Sequence, residues 1–99
     1  MSSPLQELVL QLVVAERQRQ DDKWGASDPL PWGDWSLILG EEVGELQQAM
    51  LESRFTENQI AALAYIIEEA VQVAAVAVAL VEDARRRLDS ALPVEDVAR

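Results

Sequence analysis

The sequence predicts an all-α fold, an antiparallel helical bundle whose four-helix core is completed by dimerisation. Apolar residues recur at helical spacing through three long stretches, and no segment alternates with the period of a strand. The stretch from Ile60 to Val81 is apolar almost all round, which calls for cover on several sides. Ninety-nine residues make one domain, 1–99, with a modest core of its own. Neighbouring copies are the natural source of the missing cover.

The first helix is expected over about 4–22. Ser3 is its N-cap, Pro4 takes the first helical position and Gln6 completes a capping box. Leu5, Leu8, Val9, Leu12 and Val13 share one face. A loop is expected over 23–34, because Gly25, Pro29, Pro31 and Gly33 punctuate it. It holds Trp24 and Trp32, with Trp35 just beyond. The second helix, about 35–53, is expected to start from a cap at Asp34 or Ser36. Thr56 with Gln59 forms another capping-box pattern, so the third helix is expected over about 57–88, with a break near Val81–Asp83 as an alternative. A short tail, 90–99, holds Pro93. No internal repeat and no low-complexity tract interrupts this order.

Composition narrows the chemistry. The hydrophobic fraction of 49% belongs to a folded chain rather than a disordered one. There is no cysteine, which excludes disulfides, thiolate zinc and thiol nucleophiles and agrees with a cytoplasmic location. There is no histidine, so imidazole can serve neither as base nor as ligand. The net charge is −10, and nucleic-acid polymers and anionic membranes are poor partners for it. The start, Met-Ser-Ser-Pro, lacks the charged segment of a signal peptide. Glu68, Glu69 and Gln72 in the middle of the apolar stretch argue against a membrane span, since each charge at bilayer centre costs several kcal/mol.

Several acids sit where apolar residues belong. On a helical wheel, Ile38, Ala49, Trp35, Leu46, Leu39, Met50 and Val43 form the inner arc of the second helix. Glu42 falls inside that arc and Glu45 on its rim, three residues apart and hence neighbours. Glu41 lies just outside. On the third helix Glu69 falls between Val76 and Leu80, with Gln72 one turn away and Glu68 and Tyr65 alongside. Like charges ~4 Å apart repel by about 4 kcal/mol at an effective dielectric of ~20. Such acids are protonated, paired with a cation side chain or ligating a metal. Arg54 is the only basic residue between Lys23 and Arg85, which leaves few partners. Two inward helices, each with oxygens at i and i+3, describe a Mg²⁺ site; a solvated acidic face is the plainer alternative.

These residues resemble a known family. Glu41-Glu42-Val43-Gly44-Glu45-Leu46, followed by a helix with Glu69-Ala70-Val71-Gln72, is similar to the Glu-Glu-x-x-Glu and Glu-x-x-Asp signature of the MazG-like all-α nucleotide pyrophosphohydrolases. Arg17-Gln18-Arg19-Gln20-Asp21-Asp22-Lys23-Trp24-Gly25 resembles the end of the first helix in a small single-domain branch of phage or integron type. The likeness spans about Glu16 to Val81. It implies a homodimer, or a tetramer made of two dimers, that hydrolyses nucleoside triphosphates to the monophosphate and pyrophosphate with Mg²⁺; Mn²⁺ is the other ion such oxygen ligands accept. It implies Glu42, Glu45, Glu69 and position 72 as metal ligands. Position 72 departs from the pattern: Gln72 offers Mg²⁺ a carbonyl oxygen but no charge. A weaker metal, a single-metal site or an inactive relative are the open consequences.

Under that resemblance Glu41 is the nearest spare carboxylate and stands as general base or as support to the metal ligands, its plain alternative being a solvent-facing residue. Lys23, Arg17 and Arg19 are candidate phosphate contacts, although the two arginines can equally pair with Glu16 or Asp21. Trp24 and Trp32 are candidates to stack on a base or to plug the bundle end, and Trp35 is read as a plug. Two other functions remain open: a non-catalytic oligomerisation module whose acids line a solvent channel, and a nucleotide-sequestering relative.

Overall fold

The structure is a computed structural model and describes residues 3–25 and 29–93. The described residues form three long helices, α1 (Pro4–Trp24), α2 (Trp32–Glu52) and α3 (Gln59–Ala91), with a single 3₁₀ turn at Ser53–Phe55 and no strand. The all-α expectation holds at this level. Residues 94–99 of the expected tail, and 26–28 of the expected loop, lie outside the described residues.

Each boundary has a local cause. α1 starts as its sequence predicts: the Ser3 hydroxyl accepts from the Gln6 N–H at 3.0 Å, and Pro4 holds the first position. It runs two residues past the expected end. Lys23 in the last turn suits the negative end of the helix dipole. Gly25 then stops the helix at φ 89°, where a side chain would be strained, and its N–H closes on the Asp21 carbonyl at 2.8 Å. α2 starts three residues earlier than expected. Pro31 is its N-cap, and the N–H groups of Asp34 and Trp35 reach the Pro31 carbonyl at 3.0 and 3.1 Å. No side chain caps it; Asp34 lies inside the first turn, where its charge meets the helix dipole. α3 is capped by Asn58, whose side-chain oxygen accepts from the Ala61 N–H at 3.0 Å. Gln59 secures the preceding turn by donating to the carbonyls of Ser53 and Thr56. No break interrupts α3 at Val81–Asp83.

α3 is the spine. α2 folds back along it through the short turn, and α1 packs on its other flank. Leu12 lines a groove with Ile67 and Val71, and Arg17 pairs with Glu82 farther along both helices, so α1 and α3 run in the same direction. The arrangement is elongated, 60 × 35 × 22 Å, with a radius of gyration of 16.8 Å against ~13 Å for a compact chain of this length. Its fully buried apolar residues are few: Val13, Ala49, Ala75 and Val76. The apolar face of α1 is largely open, with Leu5, Leu8 and Leu12 exposed, and Phe55 and Ile60 are 80% and 83% exposed. Among the described residues, α3 is the one helix that by length and composition is apolar enough to cross a membrane.

One polar junction ties the connection between α1 and α2 to the far end of α3. Asp83 is 1% exposed, and its Oδ2 accepts from the Trp35 indole N–H at 2.7 Å and the Leu30 N–H at 3.2 Å. Arg87 donates to both carboxylate oxygens at 2.8 and 2.9 Å, donates to the Leu30 carbonyl, and lays its guanidinium 4.1 Å from the centre of the Trp32 ring. The Trp35 donor, the Arg87 ion pair and the Leu30 N–H hold the Asp83 carboxyl below its ordinary value of 3.8, against the opposing effect of burial. A depressed carboxyl adds stability that is present above 3.8 and lost as pH falls through the lowered value. Asp83→Asn is therefore expected to lower the melting temperature by roughly 10 °C at pH 7, with the gap to the parent closing below the ordinary carboxylate range. Melting both proteins from pH 7 down to pH 3 checks this; equal curves at pH 7 would refute it.

Candidate metal centre

Three acidic side chains converge between α2 and α3. Glu42, Glu45 and Glu69 each bring a carboxylate oxygen within 4.8 Å of the others. The i, i+3 spacing puts Glu42 and Glu45 on neighbouring rows of α2. The antiparallel return of α2 along α3 then sets both against Glu69. Glu69 is buried, Glu42 is half-buried and Glu45 is exposed, so the cluster runs from the helix interface out to solvent. Among the described residues none of the three makes a salt bridge.

Electrostatics follow from that placement. Burial, then the charges of Glu45 and Glu69, pushes the Glu42 carboxyl above the usual carboxylate range. Burial, then the charge of Glu45, does the same for Glu69, partly opposed by the Tyr65 hydroxyl. Glu69 in turn raises the Tyr65 phenol. Hard oxygen donors on two facing helices, partly desolvated and with no cationic side chain bridging them, fit Mg²⁺ by the chemistry of the donor set.

Gln72 joins the cluster through its amide. With its nitrogen turned inward, it donates to Glu69 Oε2 at 3.2 Å and to Glu42 Oε2 at 3.1 Å. A carboxylate only accepts, so this orientation satisfies the group in the absence of a cation. Turning the amide over presents the carbonyl oxygen instead, which is the face a cation takes. An aspartate at this position has no donor to offer and adds a fourth negative charge.

Mg²⁺ at ten times its dissociation constant is expected to raise the melting temperature by about 5 °C or more, since it binds the folded chain alone. Gln72→Asp is expected to melt lower than the parent without metal and to gain a larger shift with it. Calorimetric melts across a Mg²⁺ series, with a non-hydrolysable nucleotide present, decide this. No shift in either protein would remove the metal centre.

The other expected site residues distribute as follows. Glu41 is exposed and outside the trio, yet its charge is felt at Glu42. Arg17 forms salt bridges with both Asp21 and Glu82, each at 2.8 Å, which realises the pairing alternative for this residue. Arg19 pairs with Glu16 at 2.6 Å. The Lys23 ammonium lies 4.9 Å from the centre of the Trp24 ring at the end of α1. Trp24 is exposed beside a cavity of about 130 Å³. Trp32 belongs to α2 rather than to a loop and is engaged by Arg87, away from the acids. Trp35 is half-buried and hydrogen-bonded, as suits a plug.

Two residues escaped the sequence reading. The sequence marks Asp83 only as one edge of the alternative break in the third helix. Its spacing from Val76 and Leu80 on one side and Arg87 on the other was the available signal. Gln20 is 6% exposed and lines the cavity, and helical spacing from Val13 was the clue. No family model matches the sequence, and neither a search of curated proteins nor one of solved structures found a match.

Proposed function

We propose that this chain is a Mg²⁺-dependent nucleoside triphosphate pyrophosphohydrolase of MazG-like type, releasing a nucleoside or deoxynucleoside monophosphate and pyrophosphate. The observation that carries the reading is the convergence of Glu42, Glu45 and Glu69 within 4.8 Å without a cationic partner. The signature residues quoted from the sequence support it. Glu42, Glu45 and Glu69 would hold the ion, with Gln72 as a neutral fourth oxygen, and Mn²⁺ would fit the same set. Bound there, the ion supplies charge neutralisation on the phosphates.

In the reaction a water oxygen bonds to the α-phosphorus, the bond to the bridging oxygen breaks, and pyrophosphate leaves. Glu41, beside Glu42 and open to solvent, accepts the proton of that water. Lys23, at the end of α1, would contact the phosphates, whereas Arg17 is held by Asp21 and Glu82.

Assembly belongs to the same reading. The open faces of α1, α2 and α3 are those a second copy would cover, giving a four-helix core from α2 and α3 of each chain, or a tetramer of two such dimers. The acids at the centre of α3 and the buried Asp83 near its end favour helix–helix cover over lipid, in a cytoplasmic protein.

The test is direct. Purified protein is incubated with each nucleoside and deoxynucleoside triphosphate, with and without Mg²⁺, and pyrophosphate is measured. Release that requires Mg²⁺ supports the proposal. Nucleotide binding without release supports the sequestering alternative, and neither binding nor release leaves the assembly module.

A further inference from the structure

We infer that the cavity between α1, α2 and α3 receives the nucleobase of the substrate, and that Gln20 accepts a hydrogen bond there from an exocyclic amino group. This deepens the hydrolytic reading and rests on it.

The cavity measures about 130 Å³, and its lining combines Trp24, Trp35, Ile38, Val76 and Ala79 with Gly25, Gln20 and the charged Arg17, Asp21 and Arg86. An apolar cavity of roughly 150 Å³ takes a whole benzene ring; this one is smaller and opens to solvent, so it suits one edge of a planar base whose remainder stacks at the mouth. Half of its ten lining residues are apolar or aromatic. Arg17 is neutralised by Asp21 and Glu82, and Asp21 itself adds a carboxylate, while Arg86 is a lining cation without a salt bridge among the described residues. On the hydrolytic reading the phosphates go to the metal centre, which leaves the base for this cavity.

Gln20 gives the cavity its chemical preference. Its amide nitrogen donates to Glu16 Oε2 at 3.3 Å, and since that carboxylate can only accept, the orientation of the amide is fixed. The amide oxygen then remains as an acceptor, and no protein donor reaches it among the described residues. An acceptor on a nearly buried residue that lines the cavity matches an amino-bearing base edge. Trp24, 63% exposed at the mouth, offers its ring face for stacking.

Register joins the cavity to the metal centre. Ile38 precedes Glu42 by one turn on α2. Val76 follows Gln72 by one turn and Glu69 by two on α3. Spacings of four and seven keep these residues on one face. The cavity therefore begins roughly 6–11 Å along the helices from the acids, by the 1.5 Å rise per residue. A ribose and an α-phosphate span that gap, so base and phosphates would sit on one continuous strip.

The experiment compares dATP with N6,N6-dimethyl-dATP, which has no amino hydrogen, in the parent, Gln20→Leu and Trp24→Leu. Circular dichroism melts establish that each variant is folded; Trp24 is exposed, so its variant is expected to fold even where Gln20→Leu does not. The parent is expected to show a KM about fivefold lower for dATP than for the dimethyl analogue, and Gln20→Leu to erase the difference with kcat unchanged. Trp24→Leu is expected to raise KM for both by about 5- to 100-fold. Hydrolysis with no discrimination in the parent, or with KM unmoved in both variants, overturns the cavity assignment and leaves the enzyme reading standing. If no nucleotide is hydrolysed, calorimetric binding of α,β-methylene-dATP takes over. Binding weakened by both variants supports the cavity although the hydrolytic reading falls, and no binding overturns both.

Discussion

Glu69→Gln is expected to reduce pyrophosphate release more than a hundredfold while leaving the chain folded. Losing even an outer partner of a metal ligand costs ~10–100-fold in affinity or activity, and Glu69 is the buried member of the trio. The same change removes one of three crowded charges. Without metal the variant is expected to melt at or above the parent temperature, because the carboxyl it replaces is disfavoured in its charged form by burial and by Glu45. The Mg²⁺-induced gain in melting temperature is expected to disappear with the activity. Glu42→Gln shares the desolvation and the neighbours and should behave alike. Initial rates and paired melts with and without Mg²⁺ test both. Full activity in both variants would remove the ligand assignment, and a large loss of metal-free stability would show that the acids serve the fold.

The second large effect concerns concentration. The chain leaves Leu5, Leu37, Phe55, Ile60 and Leu63 at least 58% exposed, a pattern that isolated soluble chains of this size avoid when the residues are contiguous. A hundredfold increase in protein concentration is expected to raise the melting temperature by roughly 5–10 °C, as mass action requires of a folded state that exists only as an assembly. Ile60→Glu, at a site 83% exposed in the single chain, would be nearly neutral for a monomer. Here it is expected to dissociate the assembly and unfold it at micromolar concentration. Sedimentation of the parent as a folded 11.0 kDa species would overturn this.

Much of this arrangement was legible from the residues, and for stated reasons. Ser3-Pro4-x-Gln6 fixes the start of α1, because its groups satisfy specific donors within one turn. The intrusion of Glu42 and Glu69 on apolar arcs predicted their approach, because periodicity reports which face a residue occupies. It does not report what lies opposite. Periodicity therefore gives Asp83 no role, since its partners Trp35 and Leu30 come from distant chain and the contact is tertiary. Gln20 was passed over for the same reason. The start of α2 was misplaced because Pro31 and Gly33 read as loop punctuation, whereas Pro31 in extended geometry serves as the cap itself. Gln72 shows a different limit. The sequence gives its identity and its departure from aspartate, but that its amide reaches both Glu42 and Glu69 depends on the register of two helices.

The three tryptophans, crowded into twelve positions of sequence, end up in three unlike surroundings. Trp35 shares its indole hydrogen with a sequestered carboxylate, Trp32 lies beneath a guanidinium, and Trp24 fronts the cavity with most of its surface in water. Their emission is therefore expected to differ in maximum and in quenching. Trp35 is the chromophore that senses release of the Asp83 junction. Trp24 is the one that a stacked base would quench. The chain would thus carry, without any label, an optical readout of its own integrity and, with a base in the cavity, another of its occupancy.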